Sequence, residues 1–111
     1  MAAKTIRVTM FKIPSKENQQ KLLGLYKTLS QTAKKDGSPY ILSLDAGPAH
    51  EDVRSQGYTL VAKSEFKSLE DMKFYDEGCE AHQVLKAGAK DLGVEGIMTV
   101  YFNPEVSAGG S

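Results

Sequence analysis

Residues 40–66 read YILSLDAGPAHEDVRSQGYTLVAKSEF, and this stretch decides the fold. Two segments in it alternate with period two, the mark of a half-buried strand. In the first, 40–46, Tyr40, Leu42, Leu44 and Ala46 share one face, with Ser43 and Asp45 opposite, beside Ile41. In the second, 57–66, Tyr58, Leu60, Ala62, Ser64 and Phe66 alternate with Thr59, Val61, Lys63 and Glu65. Gly47-Pro48 stops the first strand, and the polar segment 49–56, which carries His50, reads as a loop. The two strands therefore follow one another with no helix between them.

Upstream, Ile6, Val8 and Met10 alternate with Arg7, Thr9, Phe11 and Ile13, which predicts a strand over 6–11, extending to 13. Pro14 ends it because proline cannot donate to a ladder, and Ser15 is placed to cap a helix. Leu22, Leu25, Tyr26, Leu29 and Ala33 recur at helical spacing until Asp36-Gly37-Ser38-Pro39 closes the element. Downstream, Ser68-Leu69-Glu70-Asp71 resembles a capping box with Asp in the last position. A short helix to residue 75 or 76 follows, and Gly78 interrupts it. A second helical piece over 80–91 has Ala81, Val84, Leu85, Ala89 and Leu92 as its inward stripe, with Gly93 as cap. A last strand, 97–102, ends at Asn103-Pro104; the tail 105–111 is small and polar and is expected to fray.

The order strand, helix, strand, strand, helix, strand is the ferredoxin-like βαββαβ arrangement. It is an α+β fold whose four-stranded antiparallel sheet carries its helices on one face. The 111 residues are expected to form one domain (1–111, core 5–104). Fourteen basic and fourteen acidic residues cancel, which argues against a nucleic-acid partner. No apolar run reaches the roughly 18 residues that span a bilayer, so no membrane partner is expected. Met1-Ala2-Ala3-Lys4 leads into a strand and not into a signal-peptide core. A single cysteine cannot form an internal disulfide, which favours a reducing, cytoplasmic setting.

The outer strands are apolar on both sides. Ile6, Val8 and Met10 oppose Phe11 and Ile13 in the first, and Met98, Val100 and Phe102 oppose Ile97 and Tyr101 in the last. Leaving such side chains in water costs about 1.5–3 kcal/mol each relative to burial. A homodimer packed sheet to sheet answers this cost, with an inter-sheet cavity for a small hydrophobic or aromatic ligand lined by Tyr58, Tyr101 and Phe11. The alternative is a monomer whose curvature and tail cover the second face.

Over 5–104 the chain resembles the stress-responsive A/B barrel family, the dimeric α/β barrels. Carrying the resemblance are Val8-Thr9-Met10-Phe11-Lys12, Gly57-Tyr58-Thr59-Leu60, Phe66-Lys67-Ser68-Leu69, Tyr75, His82 and Ile97-Met98-Thr99-Val100-Tyr101-Phe102. The resemblance implies two ferredoxin-like protomers joined sheet to sheet. Members similar to this chain include stress proteins without established chemistry, polyketide cyclases and a hydroxynitrile lyase, so the fold leaves the reaction open. In the catalytic members a histidine and a tyrosine near the inter-helix turn do acid–base work, and the matching positions are His82 and Tyr75. The chain departs from the family's His-Pro-x-His segment with Cys79-Glu80-Ala81-His82. It has one residue more between Tyr75 and His82, and Thr5 stands where some members carry a further histidine.

The residue chemistry suits these roles. An imidazole takes and returns a proton near neutral pH, and a phenol polarises a carbonyl or holds an enolate oxygen. The plain alternatives are that His82 only binds a backbone group at the turn and that Tyr75 is a packing anchor. Cys79 and His82 stand three apart, but with only His50 to help they fall short of a four-ligand metal site, and none is expected. A nucleophilic Cys79 with His82 as base remains a further option. No phosphate-cradling glycine loop is present, and haem would find only His82 or His50 as axial ligand, so no cofactor is expected. The reading is a stress-responsive dimeric barrel protein that binds a small ligand. Its alternative is a cofactor-independent cyclase or lyase for a polyketide-like substrate, with His82 and Tyr75 as acid–base pair.

Overall fold

The computed structural model describes residues 4–109; residues 1–3, and 110–111 of the tail expected to fray, lie outside it. Four strands and three helices follow in order: β1 (Thr5–Lys12), α1 (Lys16–Thr32), β2 (Ile41–Pro48), β3 (Leu60–Phe66), α2 (Leu69–Glu77), α3 (Glu80–Ala89) and β4 (Gly96–Phe102). A single 3-10 turn, Val53–Ser55, interrupts the β2–β3 loop. The sheet runs β2-β3-β1-β4 and every neighbouring pair is antiparallel. This is the ferredoxin-like architecture the element order predicts. No helix among the described residues is long and apolar enough to cross a membrane.

The caps form where the sequence asks for them. Ser15 Oγ accepts from the Asn18 N–H at 3.1 Å, and Ser68 Oγ accepts from the Asp71 N–H at 3.1 Å. The Gly78 N–H closes α2 on the Phe74 carbonyl at 2.7 Å. The capping box is only half made. Instead of reaching back to Ser68, the buried Asp71 carboxylate accepts from Lys35 Nζ at 2.6 Å and ties the end of the α1 connection to α2.

Three local readings need correction. First, β2 does not stop at residue 46. It runs through Pro48, opposite Leu60, which an edge strand tolerates because its outer N–H row has no partner to lose. Secondly, its register shifts between Ile41 and Ser43, so Leu42 leaves the face of Leu44 and lies in solvent. Thirdly, α3 ends at Ala89 and Val84 drops out of its inward stripe, while Leu85 and Leu92 are buried and Ala81 and Ala89 pack against the core. Val84 is 64% exposed, and His82 and Leu85 are the buried pair. The β3 ladder starts at Leu60, and Tyr58 lies just before it, after the left-handed pair Gln56-Gly57.

The core lies between sheet and helices, around Phe11, Leu22, Tyr26, Leu60, Phe66 and Tyr75. Residues directly opposite each other share a face. Arg7, Thr9 and Phe11 of β1 therefore look toward the helices with Ser64, Ala62 and Leu60 of β3, and with Tyr101, Thr99 and Ile97 of β4. The other face is divided. Over β1 and β4 it is apolar, with Ile6 against Phe102, Val8 against Val100 and Met10 against Met98. Over β2 and β3 it is largely charged, with Asp45 against Lys63 and Glu65 nearby. From Ile97 to Phe102 every residue of β4 is exposed.

Candidate functional site

A cavity of about 270 Å³ opens between α3 and the helix-facing side of β1 and β4. It lies on the helical side of the sheet, not on the open face where the sequence reading expects an inter-sheet cavity. Two features of the sequence make room for it. Thr9 and Thr99, directly opposite each other on β1 and β4, put short side chains where a core would put large ones. Gly88 faces Leu25, and a Cβ there would come within 2.9 Å of a Leu25 methyl, so α3 leans closely on α1 while the space toward β4 stays open. The walls are apolar where Phe11, Tyr26, Leu85, Ala89, Val94 and Ile97 contribute. They are polar at Arg7, Thr9, Thr99 and His82, and Lys86 of α3 and its C-cap Lys90 complete the lining.

His82 sits on the first turn of α3 and is 3% exposed. Its Nδ1 lies 2.8 Å from the Tyr75 carbonyl oxygen. A carbonyl only accepts, so Nδ1 is the protonated nitrogen, and in the neutral ring Nε2 keeps its lone pair. Burial pushes the His82 pKa down to about 4; the Tyr75 carbonyl opposes the shift, and the positive charges of Arg7 and Lys86 add to it. The ring is therefore neutral around pH 7. It stacks on the Tyr75 ring with centroids 3.8 Å apart and planes 15° apart.

Tyr75, the other predicted acid–base residue, is fully buried in α2. Its hydroxyl has no hydrogen-bond partner, and it is not part of the cavity wall. Burial raises its pKa well above that of an ordinary phenol. The structure thus brings His82 and Tyr75 into direct contact, through ring faces and the Tyr75 backbone. Of the three predicted cavity residues, Phe11 lines this cavity. Tyr58 lies beneath the Lys12 ammonium, 4.8 Å from its ring centroid, and Tyr101 is a half-exposed residue of β4; neither lines it. Cys79 is buried at the N-cap of α3, and exposed His50 lies in the β2–β3 connection. No three His, Cys, Asp or Glu side chains among the described residues are grouped to hold a metal.

Arg7 is the charged residue of the cavity wall that the sequence reading passed over. Its buried guanidinium pairs with Asp76 at 2.8 Å, donates to Thr9 Oγ1 at 2.8 Å and lies 5.1 Å from the Tyr75 ring centroid. Thr9 in turn shares a 2.9 Å hydrogen bond with Thr99. Arg7 Nε is buried without an acceptor. A signal was available: an arginine on the same side of β1 as Phe11 and Ile13 faces the core, where a charge is kept only with partners. Tyr26, beside it, has its pKa pushed up to about 12 by burial, against the pull of Arg7.

Comparison with known proteins agrees with the fold. Residues 6–101 match the model of the stress responsive A/B barrel domain. A fusaristatin A biosynthesis cluster protein of Gibberella zeae is 44% identical over 109 residues, covering 98% of this chain and 79% of that protein. Among solved structures, the hydroxynitrile lyase of Passiflora edulis superposes with a TM-score of 0.75 at 14% identity, covering 98% of this chain and all of that one. A dimeric ferredoxin-like protein of Thermobifida fusca gives 0.73 at 9% identity, with 94% and 93% covered. SnoaB, a cofactor-independent oxygenase of Streptomyces nogalater, gives 0.69 at 6% identity, with 96% and 97% covered. These structural likenesses are of fold. With nearly its whole length matched by the family model, the chain belongs to the stress responsive A/B barrel domain family.

Proposed function

We propose that this protein takes a small apolar or aromatic molecule into the cavity beneath α3 and that His82 acts on it as general base. The observation that carries this reading is the tautomer of His82. Its Nδ1–H is committed to the Tyr75 carbonyl, which leaves the lone pair on Nε2 of a ring that lines a largely apolar cavity. A base held at a pKa of about 4 is weak, so it suits a proton already acidified by the substrate, such as one on a carbon between two carbonyl groups. That is the chemistry of a cyclase or lyase on a polyketide-like substrate. The names of two relatives in fold, a lyase and a cofactor-independent oxygenase, and of the biosynthesis-cluster protein that is similar in sequence, are in keeping with it. Tyr75 enters as the residue that holds the imidazole, through its carbonyl and its ring face.

The test is incubation with an aromatic β-diketo thioester, with the cyclised product followed by chromatography and ligand binding by calorimetry. His82→Ala is expected to lower turnover at least about a hundredfold, the usual worth of a general base, while binding stays within a fewfold of the parent. Tyr75→Phe keeps carbonyl and ring and is expected to retain most activity; a loss as deep as that of His82→Ala would assign the phenol a direct part. Unchanged turnover in His82→Ala would defeat the catalytic reading. Binding without turnover in the parent protein would leave a ligand-binding barrel. The second copy belongs to the same reading: the apolar half of the open face over β1 and β4 is covered in a sheet-to-sheet homodimer, and several proteins of this fold are described as dimeric.

A further inference from the structure

We infer that the ligand of this cavity is an organic acid, with an apolar body among Phe11, Leu85 and Ile97 and its carboxylate between Lys86 and Lys90; the inference rests on the cavity being a binding site. The charges of the lining lead there. Arg7, Lys86 and Lys90 all contribute to the wall, and no aspartate or glutamate does. The three cations are not equivalent. Arg7 is buried and already answered by Asp76 at 2.8 Å. Lys86 and Lys90 are exposed, and neither has an ion-pair partner among the described residues. Lys86 Nζ donates to the Asp76 backbone carbonyl at 3.0 Å, which steadies it without neutralising it.

Lys86 lies in the last turn of α3 and Lys90, four residues on, caps its C-terminus in helical conformation, so the two lysines share one side, the side that looks into the cavity. The helix dipole favours lysines near a C-terminus, but it does not account for two of them lining an opening that holds no carboxylate. The rest of the wall is chiefly apolar, so the favoured occupant combines one anionic end with a hydrocarbon or aromatic remainder. Arg7 Nε, a buried donor without an acceptor, adds to the same polarity deeper in the wall. For a small ligand the charge sets orientation: the carboxylate stays at the wet rim, where desolvation is cheap, and the body enters first.

The experiment uses N-phenyl-1-naphthylamine, a neutral fluorescent reporter, displaced by octanoate or by octan-1-ol. The two competitors share a chain and differ in the charge of the head. An uncharged apolar cavity prefers the alcohol, so a preference for octanoate reports the lysines. The expected result is displacement at lower concentration by octanoate. That preference should shrink about two- to fivefold in each of Lys86→Gln and Lys90→Gln, the range for one exposed ion pair, and should weaken as salt is added. Octan-1-ol displacing as well as octanoate, with no change in either lysine variant, overturns the inference and leaves the cavity as a binding site. Ile97→Trp and Ala89→Trp separate the two levels, since each fills the cavity. If both fold and still bind the reporter as the parent does, the reporter lies elsewhere, and the cavity reading fails together with the inference.

Discussion

At the scale of single residues, His82 couples the site to the stability of the fold. Its folded pKa of about 4 lies below the ordinary 6.5 of a histidine in an unfolded chain, chiefly through burial. Between those values the unfolded chain binds a proton that the folded chain refuses. The stability His82 allows is therefore intact above about pH 6.5 and falls as the pH drops toward 4, by about 3 kcal/mol in all. Glutamine at this position does not titrate. Urea unfolding at pH 7 and pH 4.5 is expected to show His82→Gln the less stable protein at neutrality, through its lost stacking on Tyr75, with the gap narrowing or reversing in acid. Equal acid sensitivity in the two proteins would mean that the folded imidazole titrates normally. His82 was legible in the sequence as a titratable group near the inter-helix turn; its tautomer was not, because the Tyr75 carbonyl that fixes it belongs to a different helix.

At the scale of elements, α3 shows how one close approach shapes a cavity. Gly88 presents bare backbone to Leu25, and the helix gains contact with α1 at the cost of leaving β4 uncovered. Alanine at this position gains about 1 kcal/mol of helix propensity but brings its methyl within 2.9 Å of a flexible leucine tip, so its net effect is small. Valine adds two methyls and a restricted rotamer to the same contact. Gly88→Val is expected to destabilise by about 1–3 kcal/mol in denaturant titration; a stability equal to the parent would show that the α1–α3 contact is slack. The order of the elements, both serine caps and the stop at Gly78 were legible because each rests on local chemistry. The exposure of Val84 was not. Val84 and Leu85 lie side by side in the sequence, and the docking of α3, with His82 on Tyr75 and Gly88 against Leu25, accompanies the inward turn of Leu85. The exposure of Leu42 escaped for a related reason, since strict alternation assumes an unbroken ladder and β2 shifts register beside it.

For the whole molecule, the division of the open face sets how two copies would meet in the proposed dimer. Six side chains on β1 and β4 make an apolar band: Ile6, Val8, Met10, Met98, Val100 and Phe102. Beside it the face turns polar, where Glu65 is paired with Lys63 at 3.2 Å and with Lys4 at 3.4 Å. A partner that covers the band without desolvating those charges must lay its own band on this one, which a two-fold axis near β1 and β4 achieves. Sedimentation at micromolar concentration is then expected to give about twice 12.1 kDa. Val100 stands in the middle of the band, opposite Val8, and is half-exposed in one protomer. Val100→Asp would bury an unpaired carboxylate on each side of the axis and is expected to give the 12.1 kDa species. Val84→Asp changes a still more exposed apolar residue on α3, on the helical side, and is expected to leave the dimer intact. Dissociation by Val84→Asp but not by Val100→Asp would put the interface on the helices, and a parent protein that sediments as a single chain would remove the dimer altogether.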